Sequence, residues 1–195
     1  MLQFVNTQFH PVIKLPETYE VSDFSKGYDP NRVLSTKFSI GKYNEKRPNM
    51  YKQALFAGDR NIHIGIDIGA PVGTEIFAFA DGNIFLFGCN PASGDYGYTL
   101  ITEHMIENQK FYSLFGHLSK KSVEDKKIGQ AFNRGGTIAW VGDKSENGGW
   151  NPHLHFQLSM IAPDKPDLPG VVSEKDLAAA LETYPDPRIV LGPVY

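Results

Sequence analysis

Short apolar runs separated by glycine, aspartate and asparagine dominate the chain from about residue 60 onward. These runs are rich in β-branched and aromatic residues, a composition typical of strands, and residues with turn preferences divide them. Six such runs predict a mainly β fold, an antiparallel β-sheet or sandwich. The predicted strands are Glu75–Ala80, Asn83–Phe87, Tyr98–Glu103, Lys110–Gly116, Gly136–Val141 and His153–Leu158.

The dipeptide Asp81–Gly82 separates the first two of these runs. A tight two-residue turn needs positive φ, which glycine supplies without steric cost. The pattern therefore predicts that the runs on either side of Asp81–Gly82 pair as a β-hairpin.

The two ends of the chain differ from the middle in their sequence pattern. Residues 1–58 contain several prolines and little sustained periodicity, so we expect an irregular N-terminal arm packed on the core. Residues 59–160 form the β domain, and residues 161–195 form a C-terminal extension. One short helix is predicted there, at about Glu174–Thr183, with Ser173 as N-cap, Asp176 in a capping box, and Pro185 as the stop.

Composition excludes several function classes. The 195 residues carry a formal net charge of −3, and no segment is basic enough for a nucleic-acid footprint. Since no apolar run approaches the roughly 18 residues that a bilayer requires, we expect no membrane span. Cys89 is the only cysteine, which excludes an intrachain disulfide.

The N-terminal residues do not have the pattern of a secretory signal, because a basic n-region and a long apolar stretch are both missing. As written, the sequence predicts a cytoplasmic protein. A processed or truncated form would instead be periplasmic or extracellular. The oligomeric state is left open.

Candidate chemistry begins with His153–Leu154–His155. In an extended strand, alternate side chains point to opposite faces, so the two histidines share one face and Leu154 shares the other with Phe156. Core packing accounts for the apolar face but not for two imidazoles side by side. Histidine is a frequent metal ligand and general acid or base, and the alternative is a polar surface strand.

A second pair, His63 and Asp67, is separated by Ile-Gly-Ile, which disfavours a helix. On a flat strand the two side chains would lie ~13 Å apart, too far to share an ion. They could bind the same metal only if the chain bends between them, and Gly65 permits a bend. Alternatively, Asp67 is a turn residue and His63 a surface side chain.

Taken together, these motifs favour a metal site. Two histidines and one carboxylate form a known catalytic zinc set that leaves a position for water. Such a set around Zn²⁺ leaves a net charge of about +1, which lowers the pKa of bound water and polarises a carbonyl. His117, at the end of the Phe111–Gly116 run, brings the histidines of these motifs to four. The two that do not bind the metal would suit proton transfer and oxyanion stabilisation.

Three ordered motifs resemble those of the M23 zinc metallopeptidases, the lysostaphin-type and LytM-type peptidoglycan endopeptidases. The resemblance covers essentially residues 60–160, in the stretches HIGIDIGAPVGTEIFAFADGNI, GYTLITEH, YSLFGHLS and GGTIAWVGDKSENGGWNPHLHFQL. It implies an antiparallel sheet crossed by a groove and one zinc ion. By that resemblance His63, Asp67 and His155 bind zinc, and His117 and His153 are the catalytic pair.

The expected activity is therefore hydrolysis of an amide bond by metal-activated water, in peptidoglycan cross-link or stem peptides. Two departures concern the substrate. Gln157 stands where family members commonly have glutamate, and the link 143–150 is longer than the usual short turn. Together with residues 169–171 and 184–187, the link is similar to M23-type domains fused to class III aminotransferases, so a peptide unrelated to the cell wall is an alternative substrate.

Three other hypotheses stay open. The first is a non-catalytic binding or regulatory module on the same fold. The second is a phosphate or lipoyl carrier, because residues 73–82 also resemble the strand–turn–strand of such domains. The third is latency, in which Asn31, Asn44 or Asn49 of the arm occupies the open metal position. His10 and His104 belong to no motif, and we expect neither to be catalytic.

Overall fold

The computed structural model describes residues 2–29, 35–56 and 59–195. Within these ranges the chain is mainly strand, with three short α-helices and two 3-10 turns, at Ala54–Phe56 and Glu174–Asp176. The strands are β1 (Glu20–Val21), β2 (Ser39–Gly41), β3 (Glu45–Lys46), β4 (Ile62–His63), β5 (Ile66–Gly69), β6 (Glu75–Phe77), β7 (Gly82–Asn90), β8 (Gly97–Ile106), β9 (Gln109–Leu118), β10 (Ala131–Phe132), β11 (Thr137–Trp140), β12 (His153–Ser159) and β13 (Val171–Val172). The helices are α1 (Lys121–Glu124), α2 (Leu177–Thr183) and α3 (Arg188–Leu191).

One large sheet organises the molecule and confirms the predicted antiparallel β fold. Its order is β1-β2-β5-β12-β9-β8-β7-β10. Its neighbours pair antiparallel except β1 and β2, which are parallel. Strands β6 and β11 form a separate pair, and β3, β4 and β13 form a small third sheet. Strand β5 thus lies between β2 of the arm and the central strand β12.

The main core lies against one face of the large sheet. Leu154, Phe156 and Leu158 of β12 are fully buried there, as the period-2 pattern predicts. The same cluster includes Val12 and Ile40 from the first 58 residues. Burying one such side chain stabilises a protein by about 1.5–3 kcal/mol. The opposite face of β12 is thereby left for polar side chains.

The hairpin predicted at Asp81–Gly82 is wrong. Strand β6 pairs with β11, whereas β7 pairs with β8 and β10. At Asp81 the chain passes from the small sheet to the large one, and the Asp81 carboxylate accepts the backbone N–H of Arg134. A Cβ on Gly82 would lie 2.7 Å from the Glu103 carbonyl oxygen, so this glycine serves close strand packing instead of a turn. The strand–turn–strand of a carrier domain is accordingly not formed.

The chain ends cover the sheet. Arm strand β2 pairs with β5, and β3 pairs with β4. The predicted C-terminal helix is a 3-10 turn followed by α2. The Ser173 hydroxyl donates to the Asp176 carboxylate at 2.6 Å and so caps no backbone N–H. Among the described residues, no helix combines the length and the apolar character needed to cross a membrane.

Candidate metal centre

Three adjacent strands bring the candidate residues together. His155 of β12 lies directly opposite Asp67 of β5 on one side and Gly116 of β9 on the other. His117 follows Gly116 at the end of β9, and His153 lies two residues before His155 on the same strand face. The sheet register therefore converts residues that are up to 88 positions apart into neighbours.

The chain bends between His63 and Asp67, which sequence analysis required for a shared site. Strand β4 ends at His63, and β5 begins at Ile66. His63 Nε2 consequently lies 3.2 Å from Asp67 Oδ1. Gly65 at the bend packs against the ring of His155, where a Cβ would approach the ring carbon Cε1 to 2.5 Å. Only glycine leaves room for that ring.

Three ligand-type atoms form a small triangle. His63 Nε2 and His155 Nδ1 are 3.1 Å apart, and His155 Nδ1 lies 3.0 Å from Asp67 Oδ1. With the 3.2 Å side above, these are close to the ~3.3 Å edges of a tetrahedron with Zn–N and Zn–O bonds of about 2 Å. Within the described part of the chain, these three residues form a His/Asp/His group whose ligand atoms all lie within 4.8 Å of one another. The donor set and its spacing fit one zinc ion.

Each ring has one nitrogen engaged in a hydrogen bond and the other left for chemistry. His63 Nδ1–H donates to the Lys42 carbonyl at 2.9 Å, which leaves the Nε2 lone pair at the triangle. His155 Nε2 lies 3.0 Å from Gln157 Oε1 and 3.3 Å from the Tyr96 hydroxyl, which leaves Nδ1 at the triangle. Such outer partners fix the tautomer and orientation of a metal-binding imidazole. Gln157 performs this role without adding a charge.

His117 and His153 lie beside the triangle with their rings in contact, at a centroid distance of 4.2 Å. His117 Nδ1–H donates to the Asn147 carbonyl at 2.9 Å, and His153 Nδ1–H donates to the Asn151 carbonyl at 2.6 Å. Each ring therefore keeps Nε2 for other partners. His153 Nε2 lies 3.8 Å from Asp67 Oδ1.

The long link between β11 and β12 holds His117. Asn147 is fully buried, and its side-chain oxygen accepts the backbone N–H groups of Gly149 and Trp150. This folds the link back so that the Asn147 carbonyl meets His117. His117 itself adopts a left-handed backbone with φ of 62°. For a residue other than glycine that conformation is strained, and strain of this kind concentrates at functional sites.

Burial sets the protonation of the cluster. Burial, followed by the Arg47 charge, lowers the pKa of His63 to about 4. Burial and the neighbouring His153 hold the pKa of His117 well below its usual value, and burial also lowers the pKa of His153. Burial alone would raise the pKa of Asp67, but the neighbouring His63 and Arg47 keep it well below the ordinary range. At neutral pH these imidazoles are therefore uncharged and can bind a metal or accept a proton, while Asp67 is ionised.

The cluster opens into a cleft that the arm and the 143–150 link help to line. Tyr51 of the arm and Trp150 of the link both line it and are neighbours, with ring centroids 6.2 Å apart. Leu168 lines another part of the cleft. Sequence analysis singled out neither Tyr51 nor Tyr96, because a single tyrosine carries no spacing signal.

The remaining candidates lie elsewhere. The His10 ring packs against Phe77. The His104 ring is buried between strands, and its Nδ1–H donates to the Asp81 carbonyl. Asn31 lies outside the described residues. Asn44 and Asn49 are turn residues with φ of 52° and 61°, and the backbone N–H of Asn44 donates to the His63 carbonyl.

The antiparallel sheet and the His–Asp–His triangle are those of a metallopeptidase-type β domain. The chain belongs to peptidase family M23, whose family model matches residues 61–165, just over half of the chain. This confirms the resemblance drawn from the sequence motifs.

Two curated relatives and one solved structure illustrate the match. The chain is 31% identical over 96 residues to the peptidoglycan DD-endopeptidase ShyA of Vibrio cholerae. It is 35% identical over 97 residues to the DD-carboxypeptidase/endopeptidase Mpg of Neisseria meningitidis. Each match covers 49% of this chain and 20% of the relative, so the chain spans about a fifth of the length of these proteins. The catalytic domain of the antimicrobial peptidase lysostaphin from Staphylococcus simulans shares the fold, with a TM-score of 0.53 at 23% identity over 80% of this chain and 93% of that domain.

Proposed function

We propose that this protein is a zinc-dependent endopeptidase that hydrolyses an amide bond in peptidoglycan cross-link or stem peptides. The observation that carries the proposal is the triangle of His63 Nε2, Asp67 Oδ1 and His155 Nδ1, with sides of 3.0–3.2 Å. Its donor types and spacing suit one tetrahedral zinc ion with an open fourth position. When bound, zinc would supply Lewis-acid polarisation of the scissile carbonyl and a bound water of lowered pKa.

The two remaining histidines suit proton handling. His117 and His153 each donate Nδ1–H to a backbone carbonyl, so each ring is held in one tautomer with Nε2 as the acceptor. Their lowered pKa values keep them neutral near pH 7. A neutral imidazole can take a proton from the attacking water, and the resulting imidazolium can stabilise a tetrahedral oxyanion or protonate the leaving amine. Their contact at 4.2 Å between centroids lets both act on one substrate bond.

The substrate class rests on the relatives. ShyA is a peptidoglycan DD-endopeptidase, and Mpg is a DD-carboxypeptidase/endopeptidase. Tyr51, Trp150 and Leu168 line the cleft, and such aromatic and aliphatic side chains suit a peptide ligand. A peptide unrelated to the cell wall would use the same chemistry.

The test is incubation of metal-analysed protein with cross-linked muropeptides and with a panel of unrelated peptides, followed by mass spectrometry of the products. We expect one zinc per chain and cleavage of the muropeptides. Cleavage of the unrelated peptides alone would keep the chemistry and reject the cell-wall substrate. Protein that binds no zinc and cleaves nothing, yet binds a glycan or protein partner, would favour the non-catalytic module.

A further inference from the structure

Arg47 is the largest of the side chains that are completely buried, with 1% of its surface exposed. A buried guanidinium is costly unless ion pairs and hydrogen bonds compensate it. It comes from the arm, on the residue that follows β3, and β3 pairs with β4, so that Glu45 lies opposite His63. Arg47 is thereby built onto the same small sheet that carries a candidate zinc ligand.

The guanidinium binds the oxygen of Asp67 that the triangle does not use. Arg47 Nη1 donates to Asp67 Oδ2 at 2.7 Å, whereas Asp67 Oδ1 faces the nitrogens of His63 and His155. With Oδ2 occupied, the carboxylate can offer a metal only one oxygen. The pair also fixes the carboxylate rotation, because a short charge-assisted hydrogen bond is strong and directional.

Glu45 supplies the balancing charge. Arg47 Nε donates to Glu45 Oε2 at 2.9 Å, and the other Glu45 oxygen accepts the backbone N–H of Phe24 at 3.0 Å. Arg47 and Glu45 together are neutral. The ligand set of Asp67 and two histidines therefore keeps its single negative charge, and Arg47 does not repel a cation as an isolated guanidinium would.

The same guanidinium reaches the cleft wall. Arg47 Nη1 also donates to the Tyr51 hydroxyl at 3.1 Å, and the Tyr51 ring lines the cleft beside Trp150. One side chain thus connects a ligand carboxylate to the wall that a substrate would contact.

We propose that Arg47 is a positioning residue that presents Asp67 to zinc through Oδ1 alone, with Glu45 as its neutralising partner. The proposal rests on the proposed zinc site and adds a function for the arm. Partners of this kind typically contribute 10- to 100-fold to metal affinity. The clamp formed by Glu45 and Arg47 accordingly makes this segment of the arm part of the proposed metal centre.

The test compares Arg47→Gln and Arg47→Lys with the intact protein, using zinc titration against a chromophoric chelator and melting with and without zinc. For Arg47→Gln we expect zinc affinity to fall about 10- to 100-fold and the zinc-induced rise in Tm to shrink. Arg47→Lys should recover part of the affinity, because it keeps the charge without the planar fork. Lys46→Gln is the matched control, because Lys46 is exposed and pairs only with Glu174 in the part of the chain described.

Equal loss of Tm in the metal-free and zinc-bound forms of Arg47→Gln, with unchanged zinc affinity, would mean a merely structural role and overturn the proposal. Should Arg47→Gln fail to fold, Glu45→Gln replaces it. Leaving the Arg47 charge uncompensated should lower zinc affinity at least about 10-fold, and unchanged affinity would contradict the clamp. Wild-type protein that binds no zinc would overturn both proposals, whereas failure in the variants alone overturns only this one.

Discussion

His104 and the four histidines of the candidate metal centre differ in what their ring nitrogens do. His104 packs between Phe79 and Phe111 and uses both nitrogens: Nδ1–H donates to the Asp81 carbonyl, and Nε2 accepts from the Thr102 hydroxyl at 2.8 Å. In the candidate metal centre, His63 Nδ1 and His155 Nε2 bond to groups outside the triangle, and the second nitrogen of each ring lies at the triangle. Burial lowers the pKa of His104 to about 4, as it does for His63.

A buried imidazole with a lowered pKa therefore occurs both at His104 and in the candidate metal centre, so this property alone does not identify a site. The distinguishing feature is a second ring nitrogen that no hydrogen bond within the core uses. At His104 the hydrogen-bonding capacity of the ring is used up within the core, so nothing remains for a metal or substrate. At the candidate metal centre the remaining nitrogens of His63 and His155 converge with Asp67 Oδ1.

Removing one of the three residues of the triangle should have the largest effect on zinc binding and activity. His155→Ala or Asp67→Ala should abolish stoichiometric zinc binding and lower kcat/KM by at least on the order of 10³-fold, because the Lewis acid is lost. Zinc analysis and the muropeptide assay measure both quantities. His104→Gln is the control and should retain zinc. Full activity of His155→Ala would reject the site.

Removing one histidine of the contacting pair should separate zinc binding from turnover. His117→Ala and His153→Ala should each retain one zinc per chain while kcat/KM falls about 10²- to 10⁴-fold, the usual contribution of a general acid or base. Turnover that survives in either variant would show that the assigned role is wrong. Loss of zinc would instead make that histidine a ligand.

Adding one methyl group at the bend should disturb His155 without changing its chemistry. Gly65→Ala drives a Cβ into the His155 ring, so we expect about 1–3 kcal/mol of destabilisation and about 10-fold weaker zinc binding. Gly73→Ala is the control, because its φ is +79° but its surroundings are open. That change should cost about 1 kcal/mol in unfolding free energy and leave zinc affinity as in the wild type. Equal zinc affinities in the two variants would contradict the close approach.

His104 should affect only the acid stability of the fold. Its folded pKa of about 4 lies below the ~6.5 of an unfolded histidine, so the stability present above pH 6.5 is lost as pH falls towards 4. At pH 5 this amounts to about 2 kcal/mol for one group. His104→Gln should remove that part of the loss between pH 7.5 and pH 5, measured by urea unfolding of the metal-free protein. An undiminished loss would mean that His104 is not the titrating group.

Sequence patterns sufficed for features whose cause is local. The period-2 alternation of His153–Leu158 depends only on strand geometry, and the structure shows its two faces. The bend at Gly65 could be stated as a requirement, because a flat strand made the His63–Asp67 distance impossible. The hairpin at Asp81–Gly82 failed because a turn signal does not say which strand the chain pairs with next. That choice depends on long-range packing of β6 on β11.

Arg47 could not have been found in this way. Nothing in the spacing of Glu45, Arg47 and Asp67 connects them, since they meet through the pairing of β3 with β4 and the bend that follows. The same holds for Asn147, whose role depends on how the 143–150 link folds back on His117.

The position of Arg47 bears on how the protein is dissected. The family match begins at residue 61, so a fragment cut at that boundary keeps His63, Asp67, His117, His153 and His155 and loses the Glu45–Arg47 clamp. A deletion of residues 1–50, the direct way to look for an inhibitory arm, removes the clamp as well. A lack of activity in such a fragment would therefore give no information on whether the arm inhibits the enzyme. A test of latency therefore has to leave Glu45 and Arg47 in place, together with Lys42, whose carbonyl accepts the His63 Nδ1–H.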